Sequence, residues 1–117
     1  MKNGPFSFRV SNALRGIACA WKTESSFRAQ IFCGAIALLV LLAFRPEPLW
    51  WCVFALAAAG TWAMELVNTA LEMTIDRLHP AVHPSIRQAK DCAAGAVLVM
   101  SIATLVVFLF FIHTRIS

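Results

Sequence analysis

Apolar residues run almost unbroken through three stretches of the chain, 29–44, 49–64 and 92–112, and none of the three contains a charged side chain. An α-helix rises 1.5 Å per residue and a bilayer core is about 30 Å thick, so a span needs roughly 20 residues. The third stretch crosses unaided, whereas the first two are short by about one turn. The first can be extended backward through Phe27 and Arg28, whose long side chain can snorkel. The second can be extended only forward, through Glu65 to Asp76, which places Glu65 at the hydrocarbon edge. Ahead of these stretches, Phe6, Val10, Leu14, Ile17 and Trp21 recur at helical spacing, with Arg9, Asn12, Arg15 and Lys22 mostly off that stripe. The pattern predicts an all-α membrane protein forming one domain over 1–117. An amphipathic helix over 1–25 would lie on the membrane surface, followed by spans over about 27–44, 49–76 and 90–112. Pro46 and Pro48 predict a tight first connection, and Pro80 and Pro84 predict a second over 77–91.

Composition agrees with this topology. Of 117 residues, 60% are hydrophobic and 14% charged, against roughly 45–50% and 25% in soluble domains. The net charge of +4 therefore points to an anionic membrane surface rather than to nucleic acid. Lys2, Arg9, Arg15, Lys22, Arg28, Arg77, Arg87 and Lys90 fall on one side of the predicted topology, and only Arg45 and Arg115 on the other. This bias places the N-terminus and the second connection in the cytoplasm of a bacterial inner membrane.

Three spans enclose little space for a polar site, so a homo-oligomer is expected, with Ala57-Ala58-Ala59-Gly60 and Ala93-Ala94-Gly95-Ala96 available for close helix approach. Cys19, Cys33, Cys52 and Cys92 form no C-x-x-C pair and suit packing. His79, His83 and His113 lack metal spacing, and no glycine-rich phosphate loop is present.

The carboxylates are few and unevenly placed. Only Glu47 falls on the outer side, whereas Glu24, Glu65, Glu72, Asp76 and Asp91 fall at the cytoplasmic level. On a helix, Glu65, Asn68, Glu72 and Asp76 share a stripe about 80° wide. Like charges on one face repel, so the stripe makes sense if a divalent cation or a cationic partner neutralises it. Oxygen donors without Cys or His favour Mg²⁺. Lys90-Asp91 is expected to open the last helix at the same level. Lys90 can hold phosphate, and Asp91 can bind metal, orient Lys90 or cap the helix. These are parts for phosphoryl transfer, with Glu65 as a base for a hydroxyl presented by a lipid.

At these residues the chain resembles the small prokaryotic membrane lipid kinases, the diacylglycerol kinase and undecaprenol kinase family. Its signature, close to E-x-[LIVM]-N-[ST]-[SA]-[LIV]-E-x-x-V-D, stands here as Glu65-Leu66-Val67-Asn68-Thr69-Ala70-Leu71-Glu72-Met73-Thr74-Ile75-Asp76, with Ile75 in place of Val. Ala89-Lys90-Asp91 matches a second block, and Trp21 to Arg28 looks like a third. The resemblance implies a kinase that transfers the γ-phosphoryl of Mg-ATP to a lipid hydroxyl, with diacylglycerol favoured as acceptor and undecaprenol as the alternative. It implies Glu65 as general base, Glu24 and Glu72 as Mg²⁺ ligands, and Asn68 as a positioning group. Lys90 and Asp91 would contact the ATP phosphates, with Asp76, His83 and Asn12 along the nucleotide and Phe27 and Arg28 at the lipid. It also implies a homotrimer with sites between subunits. A small oligomeric ion-conducting protein is the non-enzymatic alternative, disfavoured by the apolar outer halves of all three spans.

Overall fold

In the computed structural model, which describes residues 4–117, the chain forms four helices: α1 (Phe6–Thr23), α2 (Ser25–Phe44), α3 (Pro48–Leu78) and α4 (Pro84–Ile116). Lys2, counted above with the basic arm, lies outside the described residues. The last three helices are long and apolar enough to cross a membrane, as the hydropathy pattern requires.

A single residue separates α1 from α2. Glu24 is extended (φ −118°, ψ 110°), and its N–H donates to Ala20 O at 2.9 Å. Arg28, one turn into α2, donates from Nη1 to the carbonyls of Trp21 and Lys22, closing the otherwise unpaired end of α1. The helix boundary thus falls at Glu24, within the segment expected to extend α1 to residue 25. Between α2 and α3, Arg45 takes the left-handed conformation (φ 49°, ψ 60°), and its N–H donates to Leu41 O at 2.8 Å. Pro46 then prevents continuation, and Pro48 starts α3 at a position where its missing N–H costs nothing.

The expected second connection over 77–91 contracts to 79–83. Pro84 begins a helix here instead of breaking one. His83 is the N-cap, and its Nδ1 accepts from the Ser85 N–H at 3.1 Å. Lys90 and Asp91 therefore sit about two turns inside α4, not at its mouth, and Asp91 does not cap the helix.

α3 packs along α4 extensively and along α2 less so. At the end carrying the Arg45–Glu47 connection, Leu41, Phe54 and Phe111 are buried together. Phe111 meets Phe44, Trp50 and Phe54 edge-on at centroid separations of 5.9, 5.0 and 5.6 Å. Arg115 lies over the Phe111 ring and donates from Nη2 to Glu47 Oε2 at 2.8 Å and from Nη1 to Oε1 at 3.2 Å. This two-pronged bond ties the end of α4 to the N-cap of α3, and the Arg115 guanidinium holds the Glu47 carboxyl below its ordinary pKa.

Polar ties cross the middle of the bundle. Gln30 Nε2 donates to Ser101 Oγ at 2.9 Å, Trp62 Nε1 donates to Gln30 O at 3.1 Å, and Thr61 and Thr104 share a hydrogen bond of 3.0 Å. Gly34 lies directly against the Trp62 indole, with no room for a Cβ. Between these ties and the aromatic cluster runs a largely apolar cavity of about 900 Å³, lined by Leu38, Phe54, Ala58 and Leu105 among others.

α1 faces α3 with small residues. Ala13, Gly16 and Ala20 border Leu66, Thr69 and Ala70, and Ala20 is buried. Phe6, Val10, Leu14, Ile17 and Trp21 remain exposed.

Candidate active site

α3 continues well past the length a bilayer needs, and its last turns carry the polar stripe. Thr61, Glu65 and Thr69 are successive i, i+4 positions on its inward face, and all three are buried. The two threonines satisfy their hydroxyls on carbonyls one turn back, Thr61 on Ala57 O and Thr69 on Glu65 O, each at 2.9 Å. Glu65 has no such outlet. It is 3% exposed, and Ser26 at the start of α2 donates to its Oε2 at 3.0 Å. A carboxylate at this depth is costly unless hydrogen-bonded or functional.

One turn further along α3, Asn68 Nδ2 donates to Glu72 Oε1 at 2.8 Å. This bond fixes the amide orientation and leaves Asn68 Oδ1 buried without a partner. A buried carbonyl oxygen with no donor is a vacant acceptor or cation ligand. Beyond it, Lys90 Nζ of α4 donates to Asp76 Oδ1 at 2.7 Å, in an ion pair at the surface whose Asp76 is exposed and whose Lys90 is partly covered. The four stripe residues therefore form a graded series, from a buried carboxylate through an amide–carboxylate pair to an exposed ion pair.

The other residues singled out in the sequence are placed as follows. Glu24 stands at the α1–α2 break and is partly exposed. Phe27 is buried inside the bundle, and the Arg28 guanidinium is engaged by α1 carbonyls. Asn12 is partly buried on α1, Asp91 is exposed on α4, and His83 holds the start of α4. Sequence reasoning missed Ser26. The signal for it was the short connection, because a tight α2–α3 turn brings residues equally distant from it in sequence to the same level.

Among the described residues, no three His, Cys, Asp or Glu side chains converge to hold a metal ion. The available donors are hard oxygens, namely the Glu72 carboxylate and the unpaired Asn68 Oδ1 beside it. That set fits Mg²⁺ arriving with a phosphate ligand, which needs one or two protein carboxylates rather than a closed cage.

Comparison with known proteins bears on the same residues. The family described as prokaryotic diacylglycerol kinase matches residues 11–112. A diacylglycerol kinase of Synechocystis sp. is 36% identical over 102 residues, 86% of this chain and 57% of that protein, so the chain spans little more than half of that relative. An undecaprenol kinase of Bacillus subtilis is 32% identical over 96 residues, 82% of this chain and 78% of that protein. A diacylglycerol kinase of Helicobacter pylori is 34% identical over 85 residues, 72% of this chain and 66% of that protein.

Proposed function

The chain belongs to the prokaryotic diacylglycerol kinase family, and from that premise we propose that it is a lipid kinase transferring the γ-phosphoryl group of ATP to the hydroxyl of diacylglycerol, giving phosphatidic acid. The observation that carries this reading is the buried Glu65 carboxylate with one oxygen tied to Ser26. A base buried at the end of a membrane span suits an acceptor whose hydroxyl is delivered from the bilayer.

Glu65 would take the proton of the acceptor hydroxyl as its oxygen attacks the γ-phosphorus, with ADP as the leaving group. Glu24 and Glu72 would hold Mg²⁺, which when bound neutralises phosphate charge. Asn68 would present Oδ1 to the reacting groups, and Asp91 would contact phosphate. Lys90 would exchange Asp76 for a phosphate oxygen, an exchange made easy by the solvent around the pair. Asp76, His83 and Asn12 would flank the nucleotide, and Phe27 and Arg28 would shape the lipid side. The exposed apolar stripe of α1 supports a surface helix lying in the headgroup region. The basic bias of the same side supports a cytoplasmic site on a bacterial inner membrane. The vacant Asn68 Oδ1 and the open flank of the stripe support completion of the site by neighbouring copies in a homotrimer.

A second acceptor, undecaprenol, is favoured by the Bacillus subtilis relative of that name. Purified protein given labelled ATP and Mg²⁺ with each lipid in mixed micelles separates the two, and phosphate transfer to neither would reject the kinase reading. Glu65→Gln is expected to lose about 10²–10⁴-fold in kcat, and full activity in that variant would remove Glu65 from the role of base.

A further inference from the structure

Glu65 has one side-chain partner among the described residues, the Ser26 hydroxyl at 3.0 Å, and no ion pair reaches it. We propose that Ser26 is a positioning residue for the general base: it pins Oε2 of Glu65 so that Oε1 is held toward the acceptor hydroxyl. This rests on the kinase reading above.

Three observations converge. First, the bond is not a by-product of helix geometry. Thr69 spends its hydroxyl on a carbonyl of its own helix, and Thr61 bonds such a carbonyl as well as Thr104 of α4, whereas Ser26 donates across to Glu65 of a different helix. Second, Glu65 is 3% exposed while Ser26 is exposed, so the bond joins a buried carboxylate to a side chain at the surface of the chain. Water competes for the serine hydroxyl, and the carboxylate is the stronger acceptor for it. Third, Phe27 is 2% exposed and anchors the first turn of α2, so the backbone that carries Ser26 is held in place. A glutamate has three side-chain torsions. Left without a partner it would sample several, and a base displaced by about 1 Å loses much of its efficiency.

The chemistry asks for this division of labour. One carboxylate oxygen must be free to accept the acceptor proton, and the other stays paired with the Ser26 hydroxyl, its one side-chain partner among the described residues. A hydroxyl suits the second task because it donates to the carboxylate without adding a charge that would compete for phosphate.

A shape-matched series tests the proposal. Ser26→Ala and Ser26→Val remove the hydroxyl, and Ser26→Thr retains it in the outline of valine. With purified full-length protein in lipid micelles, Ala and Val are expected to lower kcat roughly ten- to a hundred-fold, the value of a hydrogen bond to a charged group. Thr is expected to stay within about threefold of the starting protein, with KM for ATP unchanged throughout. In a Glu65→Gln background the Ser26→Ala change should have no further effect, since the two residues would act as one unit. Wild-type kcat in both Ala and Val overturns the proposal, and so does a Thr variant that falls as far as Val, which would make side-chain shape the cause. Circular dichroism on each variant identifies any loss of fold. If Glu65→Gln itself is fully active, the base assignment fails and the Ser26 proposal falls with it. If Glu65→Gln is inactive while Ser26→Ala is not, only the Ser26 proposal fails.

Discussion

Ser26 of α2 and Glu65 of α3 lie equally far, in sequence, from the Arg45–Pro46 bond, and their side chains meet at 3.0 Å. The α2–α3 hairpin is therefore in register from its turn to the site, and the turn decides which residues of α2 face the carboxylate. Gly34 and Trp62 hold the same two helices together by a longer reach, the indole filling the space a Cβ at Gly34 would need.

Gly34→Ala should consequently shift α2 against α3 or displace the indole. The expected cost is about 1–3 kcal/mol, measured by titrated loss of helicity in detergent. Trp62→Leu should be milder, and the double variant should recover part of the loss, because the two changes act on one contact. Strict additivity would show that the Gly34–Trp62 contact does not hold the two helices together.

Lys90 and Asp76 form an ion pair at the surface of the chain, and such pairs contribute little to folding. Asp76→Asn and Lys90→Met should leave thermal stability within about 0.5 kcal/mol. On the proposed kinase reading their effect falls on the nucleotide: Lys90→Met is expected to lower kcat/KM for ATP at least about tenfold. A stability loss of several kcal/mol with ATP kinetics intact would assign the pair to the fold instead.

Asn68 and Glu72 should act together on the metal. Glu72→Gln keeps the shape and removes the charge, so more Mg²⁺ should be needed for half-maximal transfer, by about an order of magnitude. Asn68→Ala frees Glu72 to rotate and should shift the same curve in the same direction by less. Chelation of Mg²⁺ should abolish transfer in every variant. An unshifted Mg²⁺ curve in Glu72→Gln would remove that carboxylate from the metal site.

At the opposite end, the bond from Arg115 holds the Glu47 carboxyl below its ordinary pKa. A lowered carboxylate pKa stabilises the fold above the ordinary carboxylate range and ceases to as pH falls through the lowered value. Glu47→Gln should therefore melt below the starting protein at pH 7, and the two curves should converge in acid. A gap that persists unchanged in acid would mean that the carboxylate charge is not what the clamp uses.

The three spans were legible because hydrocarbon imposes a length and a composition on every crossing, and charges at their ends set where they stop. The stripe at Glu65, Asn68, Glu72 and Asp76 was legible because one helix carries all four, so spacing alone aligned them. Two features were not. Pro84 reads as a breaker within 77–91 by sequence, although a proline at the first helical position starts a helix when a residue such as His83 caps it. Ser26 escaped because its partner lies on another helix, and contacts between helices depend on register, which local periodicity does not report.

α3 and α4 each run without interruption from the site end to the aromatic clamp, at 31 and 33 residues, or roughly 46 and 50 Å at 1.5 Å per residue. A helix fits a thicker or thinner bilayer by tilting. Here such tilting would swing Glu72, Asp76 and Lys90 through the interface as fixtures on stiff rods, because α3 and α4 carry no hinge between the membrane and those residues. Bilayer thickness would then set the depth at which Glu65, Glu72, Asp76 and Lys90 meet the interface as one rigid group, so on the kinase reading lipid composition would tune how far an acceptor hydroxyl must rise to reach them without touching a single side chain.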